Sequence, residues 1–223
     1  LQSRGLGDVY KRQSAHMLME RFRAPRHAVE FWKAFASRSL VSAGVGLTTM
    51  FLWFIASALI FRDWFTQGNS SPIAVPVCSL IASMALATLV GSVGAAFIAG
   101  SVGEYIEDPR YLSVISCVLY TVALALPMTM PSAVSMVLFA LIGGFAFGLI
   151  DTFGQLLAMG ALPDARSAGH DLAFFNLSNS VGLALAAIIG AVGVAVTGGF
   201  SVLFPAAIVC VLASAVVTIS MKR

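Results

Sequence analysis

Three long stretches of the chain, positions 64–103, 111–150 and 172–221, contain no Asp, Glu, Lys or Arg. They are 40, 40 and 50 residues long in a chain of 223. A helix needs about 20 apolar residues to cross the hydrocarbon core of a bilayer, so each stretch has the length of about two crossings. Composition points the same way: 59% of residues are hydrophobic and 10% charged, with a mean hydropathy of +0.92. Soluble domains run near 45–50% apolar and 25% charged. A soluble globule of this size has too little interior for so much apolar surface, which excludes a soluble enzyme. The sequence reads as an all-α polytopic membrane protein.

The N-terminal residues stand apart. Asp8-Val9-Tyr10-Lys11-Arg12-Gln13 can be encoded GAT GTG TAT AAG AGA CAG, which resembles the transposon end used to prepare sequencing libraries. Residues 1–13 are therefore expected to be an adapter artefact and stay outside fold reasoning, with coding sequence upstream of Ser14 expected to be lost. They hold three basic residues and one acidic one; without them ten basic residues face nine acidic ones, a net charge of +1. So small an excess gives no footing for nucleic acid. Cys78, Cys117 and Cys210 lie in apolar runs with no C-x-x-C spacing, which indicates neither a disulfide framework nor a metal site.

Six spans are expected, at 39–61, 73–99, 111–126, 132–159, 172–196 and 201–221. Residues 14–38 form a basic lead-in, and Pro127 and Pro131 close the third span. With alternating sides, nine Lys/Arg (Arg21, Arg23, Arg26, Lys33, Arg38, Arg110, Arg166, Lys222, Arg223) collect on one face and Arg62 alone on the other. Basic loops stay cytoplasmic, so both ends are expected in the cytoplasm.

One set of residues is more specific. Leu162-Pro163-Asp164, Gly169-His170-Asp171-Leu172, Asn176 and Asn179, then Thr197-Gly198-Gly199-Phe200 and Leu203-Phe204, resemble the C-terminal half of major facilitator superfamily (MFS) transporters, closest to a bacterial subgroup. His27, Phe31-Trp32 and Phe35-Ala36-Ser37-Arg38 resemble that subgroup's approach to its seventh helix. The resemblance covers 14–223. It implies helices seven to twelve of a twelve-helix fold built of two six-helix halves around a central site, with 14–38 as the central loop and the N-terminal half missing. It also implies location in a bacterial cytoplasmic membrane. Two departures stand out. Gly100, Glu104 and Arg110 are candidates for the cytoplasmic gating loop, but Glu107 and Asp108 stand where the family often has Gly and Arg. The acid of the fourth span is Asp151, one turn before the subgroup's position, which aligns with Gly154.

Asp151 is the only Asp, Glu, His, Lys or Arg inside an expected span. A mid-membrane acid costs about 2.5–3.5 kcal/mol on insertion scales and should face protein or a wet cavity. Gly144, Gly148, Asp151 and Gln155 share one helix face by spacing. Asp151 either couples proton movement or contacts substrate with Gln155, or makes a structural hydrogen bond to a neighbouring helix. Ser42, Gly46, Thr49, Trp53 and Ser57 form a small and polar stripe on the first span. It is either a cavity wall, with Thr49 and Trp53 meeting substrate, or a packing seam. Asn176 and Asn179 either meet substrate or hydrogen-bond across to the fourth span. Gly91, Gly94, Gly100 and Gly103 read as packing glycines.

His16, His27 and His170 lie outside the spans, and no H-E-x-x-H or P-loop occurs. Neither a metal, a cofactor nor an enzymatic reaction is expected. The function expected is secondary active transport of a small solute by alternating access, coupled to a proton or other ion. With one buried acid and no buried base, the expected substrate is a neutral sugar or a drug-like compound. The alternative is a self-standing six-helix scaffold or subunit.

Overall fold

A computed structural model describes residues 29–61, 73–103, 108–160 and 168–221. Helices are the only long elements among them: α1 (Val29–Thr49), the short α2 (Leu52–Ile55) with a π turn at Ala56–Ile60, α3 (Ala74–Val102), α4 (Pro109–Thr129), α5 (Ala133–Gly160), α6 (Ala168–Thr197) and, after a 3₁₀ turn at Phe200–Val202, α7 (Leu203–Ile219). Five of them are long and apolar enough to cross a membrane, and the pair Val29–Thr49 and Leu52–Ala58 brings the number to six if it counts as one bent span. Their outer surfaces are apolar, with Leu86, Val90 and Phe97 of α3 and Ile188, Val192 and Val196 of α6 exposed. The chain is a multi-pass membrane protein, all-helical among the described residues.

Two expected boundaries are corrected. The first span begins at Val29 instead of Ser39, because the lead-in is amphipathic: Phe31 and Ala34 are buried, Phe31 edge-on to Phe175. That span is also bent by 46° instead of running straight to Phe61. Just before the bend, the hydroxyls of Thr48 and Thr49 both donate to the Val45 carbonyl, a local bond that competes with the helical ladder. The third span runs past Pro127 to Thr129. A proline near the end removes only one ladder bond, and a hydrocarbon environment favours keeping the other backbone groups paired within the helix.

Polar groups fix the helix ends. Asp108 caps α4 by accepting from the Arg110 backbone N–H, with Pro109 at the first helical position. Lys33 Nζ donates to Ser220 O at 2.7 Å and Arg110 Nη1 to Met221 O, so two cations meet the carbonyl end of α7, where the helix dipole favours them. Between α1 and α7, Ser37 Oγ lies 2.8 Å from both Ser214 Oγ and Thr218 Oγ1.

Ordered by their closest packing, the helices run α3–α5–α4–α7–α1–α6. Read backwards, the same order exchanges α1 with α5, α3 with α6 and α4 with α7, that is, the first three spans with the last three. The exchange holds residue by residue. A Cβ added at Gly182 of α6 would strike Ser39 O, Ser42 and the Ala43 backbone N of α1; one added at Gly91 of α3 would strike Leu141 O, Gly144 and the Phe145 backbone N of α5. Going from 39 to 141, 42 to 144 and 43 to 145 is a constant step of 102, and 91 to 182 is a step of 91. Gly46 faces Ala186 and Leu183, while Gly148 faces Ala95 and Ser92, which repeats both steps. A unit of three spans crosses an odd number of times, so its second copy runs upside down. The pseudo-two-fold axis therefore lies across the bundle, between α1 and α5.

Candidate functional site

The pocket at the end of the bundle where α1 begins is lined mainly by α1, α5 and α6, with Ser113 of α4 and Thr218 of α7 also in its wall, and two opposite charges meet in it. Arg38 of α1 and Asp151 of α5 form an ion pair, Nη2 to Oδ1, at 2.8 Å. The Arg38 side chain is only 18% exposed and that of Asp151 35%. Gln155, one turn after Asp151, donates from Nε2 to Oδ2 at 2.8 Å, and the guanidinium carbon stands 5.2 Å from the ring centroid of Phe175, within cation–π range. The Arg38 Nε is buried without a hydrogen-bond partner among the described residues. Beside the pair, Ser42 Oγ donates to Asn179 Oδ1 at 2.9 Å. Apolar walls come from Val41, Phe147, Ile150 and Phe175.

The structure thus brings Asp151, Gln155 and Asn179 to one place, while Thr49, Trp53 and Asn176 lie elsewhere. Asn179 bonds α1, not the fourth span as expected. Asn176 is exposed one turn away. The stripe on the first span is not one wall: Ser42 and Gly46 are buried against α6, and the bend carries Trp53 to a separate surface with Phe54, Ser57 and Phe200. Gly91 packs closely as expected, whereas Gly100 and Gly103 have no atom near enough to touch a Cβ. Of the loop candidates, Gly100 is exposed, Glu104 lies outside the described residues, and Arg110 pairs with Asp108 at 2.6 Å. Among the described residues no group of three His, Cys, Asp or Glu is placed to hold a metal.

Arg38 is the residue that sequence reasoning missed. It was assigned to the polar lead-in, yet Phe31, Ala34, Arg38 and Val41 keep a helical spacing that places it on the inward face. The premise of a site with no base is thereby corrected. The repeat also left a trace: Val90-Gly91, Ala95-Ala96 and Ile98 recur as Val181-Gly182, Ala186-Ala187 and Ile189, and Gly46-Leu47, Phe51 and Ala56 recur as Gly148-Leu149, Phe153 and Ala158.

The repeat gives the charged pocket a counterpart at the other end of α1 and α5, lined by Thr49, Thr88, Ala140, Gly144 and Tyr120. There Ala140 stands for Arg38, Thr49 for Asp151, Thr88 for Asn179 and Gly144 for Ser42. No protein-family description matches the sequence, and neither the curated proteins nor the solved structures compared with it contain a match.

Proposed function

We propose that the chain is a six-span half of a secondary transporter of the major facilitator type. It moves a small solute across a bacterial cytoplasmic membrane, with both ends in the cytoplasm. The observation that carries this reading is the inverted three-span repeat with an ionisable pair beside its axis. Inverted repeats with the site at their interface are a recurring architecture of secondary transporters, and ionisable residues inside spans mark ion or substrate pathways. Thr49, Thr88, Gln155 and Asn179 are exposed polar residues on α1, α3, α5 and α6. Hydrocarbon is a poor neighbour for such groups, which supports a second six-span body and a wet cavity on that side. Asp151 is the proton-coupling residue and Arg38 its partner.

The test is proton movement in inverted membrane vesicles from cells that express the full-length gene. A sugar, a drug-like amine and a carboxylate are each added to vesicles energised by acidification. A solute-evoked pH change that disappears in Asp151→Asn is expected. No pH change with any solute would leave the scaffold reading in place.

A further inference from the structure

We infer that the Arg38–Asp151 pocket binds a monocarboxylate with an apolar body and takes up one proton with it. This deepens the transport reading and rests on it only for the crossing step, because binding and proton uptake occur in the pocket itself. Arg38 offers a side-on edge of two N–H donors, Nε and Nη2, and a carboxylate is the planar anion that fits such a fork with two parallel bonds. That edge is half used: Asp151 takes Nη2, while Nε is buried with no partner among the described residues. Ser42 and Asn179 add polar contacts beside it, the hydroxyls of Ser37, Ser113 and Thr218 also line the pocket, and Val41, Phe147, Ile150, Leu157 and Phe175 supply the apolar wall.

Charge then dictates the proton. Two carboxylates on one guanidinium would leave a net negative charge in a partly desolvated pocket, where Arg38 is only 18% exposed, and that is disfavoured. As the ligand's carboxylate accepts from Nε and Nη2, the displaced Asp151 carboxylate takes a proton from water and becomes a neutral carboxyl. Its new O–H can donate to Gln155 once that amide turns its oxygen inward. Arg⁺ with Asp⁻ becomes Arg⁺ with ligand carboxylate and a neutral acid, so the pocket is electroneutral before and after.

Size couples this exchange to movement. The cavity holds only about 30 Å³, roughly one water, so a ligand body enters only as α1 and α5 part. These two helices touch sparsely apart from the ion pair, and the exchange removes that tie. The counterpart pocket with Ala140 and Thr49 has no charge to exchange, so of the two equivalent places only one carries such a site.

The experiment uses the purified full chain in lipid nanodiscs, with benzoate as probe and benzyl alcohol as its neutral analogue, read by calorimetry and by a pH indicator in weak buffer. Saturable benzoate binding with uptake of about one proton per chain is expected, and benzyl alcohol should bind at least about tenfold more weakly. Asp151→Asn should bind benzoate without proton uptake, Arg38→Lys about tenfold more weakly than the parent, and Arg38→Gln not detectably, each checked for folding by size-exclusion profile. Equal binding of the two probes, or benzoate binding without proton uptake in the parent, overturns the inference. Proton-linked benzoate binding without transport in vesicles would sink the transport reading alone. Transport of a sugar or an amine without benzoate binding would sink this inference alone.

Discussion

The two pockets between α1 and α5 occupy equivalent places in the repeat and differ in chemistry. One holds Arg38, Asp151, Asn179 and Ser42; the other holds Ala140, Thr49, Thr88 and Gly144 at the matching positions. The backbone crossings around them are the same, down to which glycine meets which carbonyl. Scaffold and chemistry are thus separable here: crossings set by small residues serve both ends, and only one end has been given charges. Desolvated charges tolerate few arrangements, so the charged pocket should be the more sensitive to substitution and the neutral one the more forgiving.

The largest effect should come from the shared part. Gly91→Val and Gly182→Val each drive a side chain into backbone atoms that cannot yield, and overpacking of that kind costs about 3 kcal/mol or more. Similar losses of thermal stability in detergent are expected from both; a loss in one alone would break the equivalence of the crossings. Next comes Arg38→Gln, which leaves Asp151 without its counter-ion. Breaking a buried pair costs about 3–5 kcal/mol, reduced to about 2 here because Asp151 is 35% exposed. Adding Asp151→Asn should recover most of that loss, and failure to recover it would mean that Arg38 contributes mainly through packing. A smaller effect is expected at the aromatic wall. Phe175→Leu loses the ring under Arg38 and the edge contact to Phe31, about 1–1.5 kcal/mol, whereas the counterpart Met84→Leu should change unfolding by less than about 1 kcal/mol. Smallest is Ser42→Ala, which removes one interhelical hydrogen bond worth about 0.6 kcal/mol. Thr88→Ala, at the neutral end, should be silent within about 0.5 kcal/mol.

How much of this the sequence disclosed follows from which forces act over short stretches. Spans α3 to α7 were legible because hydrocarbon excludes charge along 20 residues at a time, and runs that long show plainly. Asp151 was legible for the same reason, as one charge amid none. Arg38 was not, because a basic residue near a span end counts equally well as a loop marker. Only its helical spacing from Phe31 and Ala34 separates the two assignments. The bend follows two hydroxyls that share one carbonyl, and a Thr-Thr pair in an apolar run gives no such warning by itself. Glycine spacing suggested packing at Gly91 and at Gly100 alike, yet only Gly91 meets a partner helix. Which glycines pack depends on where helices cross, and that is a property of the assembled bundle.

The two steps of the repeat are unequal, and the inequality tells where the chain has been free to change. From Gly46 to Gly91 is 45 positions, and from Gly148 to Gly182 is 34. The eleven-residue difference falls after Ala56, which still keeps the step of 102 to Ala158, and before Val90, which keeps the step of 91 to Val181, so the crossings on either side hold their register. Length differs between the two copies while the joints keep their places, much as a truss takes a longer strut without moving its pins.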